Sequence, residues 1–246
     1  MIEMIEPIPT ETKAAVLDHG YVVLRNLAGP TRRPGDNFDA DDTDVANAAR
    51  MSFGNMDGDR TYEQEMKLTK YLWTHHHSTP FESIVVWLEY KLPIFVARQF
   101  HRHRTQSLNE ISGRYVTLPA EWYIPDAVGG KASDKKQGQA DNLPLDVQAS
   151  FKRILHDHCA AGYESYLAAI SYGVAPEHAR MLLSLNHYTR YMSTVNLRNL
   201  LGFLLLRDQG GAQIEAQFYA KAIIKLLTPH IPGIMGVWEN FRTDKP

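Results

Sequence analysis

The stretch Ser83-Ile84-Val85-Val86-Trp87-Leu88-Glu89-Tyr90-Lys91 decides the architecture. Ile84, Val86, Leu88 and Tyr90 alternate with Val85, Trp87, Glu89 and Lys91, which is the period of a strand with one strongly apolar face. Pro93 then opens a new element, read as a helix that carries Arg98-Gln99-Phe100-His101-Arg102-His103-Arg104. Upstream, Thr61 and Gln64 have the form of a capping box. They open a helix with apolar positions at Leu68, Tyr71 and Leu72, ending at His75-His76-His77. Residues 9–28 read as a short helix and then a strand through Tyr21-Val22-Val23-Leu24, and 29–42, with Pro30, Pro34, Gly35 and four aspartates, as a loop.

Downstream, residues 125–144 have no hydrophobic period and are expected to form a mobile surface loop. A long helix over about 146–171, a short helix from Pro176, a strand over 188–195 and helices over about 196–208 and 212–228 follow. In the last of these, Gln213, Gln217, Lys221 and Lys225 form a polar face opposite Ala216, Ala220, Ile223 and Leu227. Strands and helices succeed each other without a repeat or a linker, so the expectation is one α+β domain over residues 1–246.

Four arginines, no lysine and one acid, Glu110, fall within residues 98–115 of a chain whose net charge is only −2. Guanidinium is planar, permanently charged and grips phosphate bidentately, so an all-arginine cluster points to an anion site, with a small-molecule phosphate as first candidate. Broad binding to nucleic acid or an anionic membrane needs positive charge spread over a face, which this balance does not supply. The acidic start Met1-Ile2-Glu3-Met4-Ile5-Glu6 and the lack of a membrane-length apolar run lead to the expectation of a cytoplasmic protein. Cys159 is alone, excluding an intramolecular disulfide, and its helical spacing with Leu155 and Tyr163 reads as buried filler.

No G-x-G-x-x-G opens a helix after a strand, and Gly130-Lys131 lacks the rest of a P-loop, so arginines and helix ends must hold the phosphate. Neighbouring histidines on a helix point about 100° apart and cannot converge on one ion, so no metal is expected at 75–77 and one of the three faces a pocket. Ser112 lacks a base and an oxyanion site; it either caps a turn or donates to a phosphate or base. Asn196, Arg198 and Arg207 flank the core stripe Leu197, Leu200, Leu201 and Leu204, a pattern equally suited to a cap and a solvated face.

Together these segments resemble the flavin-dependent thymidylate synthases. The family signature, Arg-His-Arg, seven residues, then Ser, is matched by Arg102-His103-Arg104 and Ser112. His77-Ser78-Thr79-Pro80-Phe81-Glu82 is similar to a second block, and Arg180 through Asn186, Tyr188-Thr189-Arg190, Asn196, Arg198, Arg207 and Ala212-Gln213 to a third. Ser52 lies in a fourth, weaker block.

The resemblance covers roughly residues 45–230 and implies a central, mostly antiparallel sheet flanked by helices, assembled as a homotetramer with active sites where subunits meet. Its implied chemistry is reductive methylation of dUMP to dTMP with FAD, methylenetetrahydrofolate and NADPH. It implies a nucleotide shell of Gln99, Arg102, Glu110, Ser112, Gly113, Arg114 and Arg180, with Arg207 as the catalytic cation that polarises the uracil. For the flavin it implies Ser52, His77, Thr79, Glu82, Arg102, His103, Arg104, Thr105, Glu110, Asn196 and Arg198. The chain departs from the family at Gly202 and Gly211, which replace polar residues, and at Ser184 and Ser83. Residues 1–40 and 123–145 have no assigned counterpart. Two other readings stand beside this one: a flavin-binding relative without turnover, and an RNA-binding module in which Phe100, Tyr115 and Trp122 stack beside the arginines.

Overall fold

In the computed structural model, which describes residues 12–30, 39–55, 59–133 and 138–243, the alternating stretch is the middle strand of a five-stranded sheet. The strands are β1 (Lys13–Val16), β2 (Gly20–Ala28), β3 (Val85–Pro93), β4 (Gln106–Glu110), β5 (Gly129–Lys131), β6 (Gln139–Asn142) and β7 (Tyr188–Asn196). The helices are α1 (Asp44–Arg50), α2 (Tyr62–Thr74), α3 (Thr79–Glu82), α4 (Ile94–Phe100), α5 (Leu145–Ser171), α6 (Pro176–Ala179), α7 (Leu197–Arg207), α8 (Ile214–Leu227) and α9 (Pro232–Thr243). The sheet order is β1-β2-β3-β7-β4, antiparallel throughout, and β5 pairs with β6 in a separate hairpin. The α+β expectation holds.

Val86 opposes Val195, Leu88 opposes Ser193 and Tyr90 opposes Tyr191. The inner face of β3 packs in one apolar core with the stripe of α7 (Leu197, Leu200, Leu201, Leu204) and with Ala216, Tyr219, Ala220 and Ile223 of α8. Each fully buried leucine, valine or isoleucine there contributes about 1.5–3 kcal/mol. Helix α2 begins with the expected capping box, Gln64 N donating to Thr61 Oγ1 (3.3 Å) and Thr61 N to Gln64 Oε1 (3.1 Å). At the far end, the buried Asp42 carboxylate accepts from Gly233 N and Ile234 N, both at 2.8 Å, and so caps α9 across the chain.

Several elements differ from expectation, among them the short helices α1 and α3, which were not read from the sequence. Residues 13–16 form a strand, not a helix, because the hairpin they make with β2 packs on α8. A Cβ at Gly20 would lie 2.1 Å from Tyr219 Oη and 2.8 Å from Lys91 O, so tertiary contact overrides local propensity. The proposed mobile loop holds β5 and β6, fastened by Gln148, whose amide accepts from Val128 N (3.0 Å) and donates to Leu143 O (2.6 Å). Strand β4 and helix α9 were not expected. β4 is an edge strand, its residues exposed or half-exposed, and lacks the alternation that reveals β3. Among the described residues no helix is long and apolar enough to cross a membrane.

Candidate functional site

Strand β4 ends at Glu110, and Ile111 N still donates to Arg190 O (2.9 Å) before the chain turns at Ser112. Tyr115 N donates to Ser112 O (3.0 Å) and Arg114 N to Ser112 Oγ (3.3 Å), so Ser112 does stabilise a turn. The turn borders a cavity of about 490 Å³ lined by Glu110, Ser112, Gly113, Arg114 and Arg180 together with Ser184, Tyr188 and Thr189. Arg180 arrives from the far side on a one-turn helix, Arg180–Leu182, that rests against α5. Gly113 packs close to this arginine: a Cβ there would lie 3.1 Å from Leu118 Cδ1 and 3.4 Å from Arg180 Cδ. Arg114 hydrogen-bonds Tyr115 Oη (2.9 Å), and neither Arg114 nor Arg180 is in a salt bridge among the described residues. The Glu110 carboxylate accepts from Thr189 Oγ1 (2.5 Å). Two unneutralised guanidiniums and a hydroxyl around one cavity are a phosphate donor set.

Arg207 belongs to a second group. As the last residue of α7 it donates from Nε to His103 Nε2 (3.1 Å) and from Nη2 to the Gln99 carbonyl (3.2 Å). The Gln99 side chain in turn donates to Gln213 Oε1. Accepting at Nε2 fixes His103 as neutral with its proton on Nδ1. Burial, and then the Arg207 charge, pull the His103 pKa below its ordinary value, and burial lowers that of Arg207. His103 also stands edge-on to Phe203 at 4.8 Å, and Thr105 lines the same crevice. The cavity of Arg114 and Arg180 does not include Arg207. The two groups flank β4, whose residues span roughly 13 Å at about 3.3 Å each.

A third group gathers where α2 ends and α7 begins. Trp73, His76, His77, Ser78 and Arg198 line a cavity of about 110 Å³ with Phe241 of α9, and the Arg198 guanidinium lies 5.2 Å over the Trp73 ring. Two histidines face this cavity where one was expected, because His76 takes a left-handed backbone (φ 58°) as the helix unwinds. No cluster able to hold a metal occurs among the described residues. Thr79 and Glu82 begin and end α3 and are exposed; Ser52 is exposed in a one-turn helix closed by Gly54 at φ 63°. Asn196 is the N-cap of α7, its Oδ1 accepting from Asn199 N (2.9 Å), which leaves the amide NH2 as its remaining donor. Arg102 and Arg104 are exposed in the segment joining α4 to β4.

The departures leave space. A Cβ at Gly202 would meet only Arg198 Nη1, at 3.6 Å, and one at Gly211 nothing within 4 Å. Ser83 closes α3 through Pro80 O (2.6 Å). Ser184 contacts buried Cys159 Sγ at 3.2 Å, and that thiol donates to Asn186 Oδ1 (3.3 Å), so the cysteine is hydrogen-bonded and not merely apolar filler. Sequence reasoning did not single out Tyr188, Thr189 or Trp73 as lining residues. Their signal was the motif block around 188–190 and the helix that delivers the histidines.

A curated relative from Thermus thermophilus, a flavin-dependent thymidylate synthase, is 41% identical over 225 residues, 92% of this chain and 77% of the relative. One of the same name from Gluconobacter oxydans is 38% identical over 236 residues, 94% of this chain and 74% of the relative. The solved structure of a UMP/dUMP methylase, PolB, from Streptomyces cacaoi bound with 5-Br dUMP superposes with a TM-score of 0.80 at 25% identity, covering 95% of this chain and 100% of that one. Residues 36–233, which include all three groups of side chains except Phe241, match a single protein-family description. The chain therefore belongs to the thymidylate synthase complementing protein family.

Proposed function

We propose that the chain methylates dUMP to dTMP reductively, using FAD, with methylenetetrahydrofolate as one-carbon donor and NADPH as reductant, and releases tetrahydrofolate. The observation that carries this reading is that Arg114 and Arg180, neither in a salt bridge among the described residues, line with Ser112 and Gly113 one cavity large enough for a nucleotide. The phosphate binds to the two guanidiniums and the Ser112 hydroxyl, with Gln99, Arg102 and Glu110 completing the nucleotide shell.

The chemical difficulty lies in making the uracil C5 nucleophilic. Cys159 is buried and committed to Ser184 and Asn186, so thiol addition to the ring is not assigned to it. Arg207 takes that burden: a guanidinium beside the N3/O4 edge stabilises negative charge as it develops on the pyrimidine, and partial burial strengthens the effect. His103 and the Gln99 carbonyl hold the fork of Arg207 in one orientation.

The residues at the third group suit a flavin nucleotide, since a cavity with two histidines, a serine hydroxyl and a guanidinium stacked on tryptophan offers donors and cationic charge without a carboxylate. Ser52, His77, Thr79, Glu82, His103, Arg104, Thr105, Asn196 and Arg198 are assigned to holding it, with Arg102 and Glu110 shared between the flavin and nucleotide sides. When bound, FAD supplies the hydride-transfer chemistry.

Within one chain Arg207 stands away from Arg114 and Arg180, which supports a homotetramer whose neighbouring subunits complete each site. Leu108 and Ile111 on the β4 edge and Leu145, Phe151 and Ile154 on α5 are exposed, in keeping with such contacts. The test is the absorption spectrum of the purified protein with and without dUMP, followed by tritium release from [5-³H]dUMP. A yellow protein whose flavin bands shift with dUMP and which releases tritium supports the reading; a colourless protein that prefers oligonucleotides to dUMP supports RNA binding instead.

A further inference from the structure

Arg207 occupies the last helical position of α7, immediately before a weak point. Asp208 N closes the final turn on Leu204 O (2.9 Å), and the chain then runs through Gln209-Gly210-Gly211. Both glycines are exposed and would have nothing within 4 Å of a Cβ, so no packing holds them, and the exit is closed by Gln209, whose Nε2 donates to Leu206 O (3.2 Å) and whose carbonyl accepts from Ala212 N (2.9 Å). A helix end of this kind frays unless something holds it.

Helix α9 adds a tertiary hold to these local bonds. Arg242 Nη1 reaches Asp208 Oδ2 at 2.5 Å, and the Asp208 side chain is 7% exposed. Arg242 is itself fixed from two directions: Nε pairs with Glu239 at 3.1 Å, and the guanidinium lies 5.0 Å over the ring of Trp238, which is completely buried. The other end of α9 is pinned by Asp42 through the Gly233 and Ile234 amides. The family match stops at residue 233, so Arg242 lies outside it. We propose that Arg242 is a positioning residue for Arg207: through Asp208 it fixes the last turn of α7 and so keeps the Arg207 backbone where its guanidinium can meet His103 and the Gln99 carbonyl. This rests on the reading of Arg207 as the uracil-polarising cation.

The tests are Arg242→Ala, Arg242→Lys, Asp208→Asn and the double variant Arg242→Ala/Gly210→Ala, with Arg207→Ala measured alongside. Misplacement of a catalytic group by about 1 Å costs up to roughly 100-fold in rate, so Arg242→Ala is expected to lower kcat for tritium release at least about tenfold. Flavin content is expected to stay unchanged, and KM for dUMP to move much less than kcat. Amide exchange at Asp208 accelerates, Arg242→Lys recovers part of kcat, and Gly210→Ala recovers part by stiffening the exit. Should Arg242→Ala not fold, Asp208→Asn, which keeps the side-chain shape, carries the same expectation. Unchanged kcat in the folded Arg242 and Asp208 variants, or a loss that tracks flavin loss and that neither Arg242→Lys nor Gly210→Ala relieves, overturns the proposal. If Arg207→Ala retains full turnover, the reading of Arg207 fails first; if only Arg207→Ala is impaired, the positioning role alone fails.

Discussion

Arg207 donates its Nε hydrogen to His103 Nε2 at 3.1 Å, across 104 residues of sequence. The geometry requires an unprotonated Nε2, and protonation would replace an acceptor with a cation facing a guanidinium.

This pairing predicts an acid limb. The folded pKa of His103 lies below the unfolded value of about 6.5, through burial first and the Arg207 charge second. Below about pH 6.5 the unfolded chain therefore binds more protons than the folded one, so this group's contribution to stability falls as pH drops and recovers as pH rises. Turnover is expected to fall further into acid, where His103 of the folded protein itself takes up a proton and Arg207 loses its acceptor. His103→Gln, which offers a non-titrating acceptor, is expected to flatten that limb in kcat against pH; identical acid limbs in both proteins would refute the assignment.

Arg207→Ala is expected to raise the barrier by about 2.7–4 kcal/mol, the cost of losing one preorganised donor, with flavin retained. Arg207→Lys is expected to recover only part, because an ammonium cannot reproduce the fork that meets His103 and Gln99 O together. Steady-state tritium release with flavin quantified by absorbance checks both.

Arg114→Ala and Arg180→Ala are each expected to weaken dUMP binding by about 1.5–3 kcal/mol, as for loss of a charge-assisted hydrogen bond. Titration of the flavin spectrum with dUMP measures this directly. Equal loss for deoxyuridine, which lacks the phosphate, would show that the two arginines contact some other part of the nucleotide.

Cys159→Ala is expected to keep turnover and to lose about 1 kcal/mol of stability, since Ser184 and Asn186 lose a partner while Asn186 Nδ2 keeps its bond to Tyr123 O (2.7 Å). Thermal unfolding and activity of the same preparation separate the two effects. Abolished turnover in a folded variant would return the thiol to the chemistry.

Much of this molecule was legible from local patterns. Strand β3 is a period-two signal over an apolar face, α2 announces itself by Thr61 and Gln64, and Ser112, Gly113 and Arg114 are neighbours in sequence that also meet in space. Arg180 joined them through the family resemblance, not through spacing. The misses have physical causes. β1 is held as a strand by Gly20 and Tyr219, a contact no local window contains. β4 carries polar or exposed residues on both faces because it borders the sheet. The separation of Arg207 from Arg114 and Arg180 depends on β4 lying between them, and no local pattern revealed that strand.

The Asp42 cap has a consequence for how the protein comes into being. Its buried carboxylate accepts from Tyr62 Oη (2.8 Å) and from two amides that lie 191 and 192 residues further on, those of Gly233 and Ile234. During translation the carboxylate is made well before these two amide donors, so the packing around it is completed only once α9 has emerged from the ribosome.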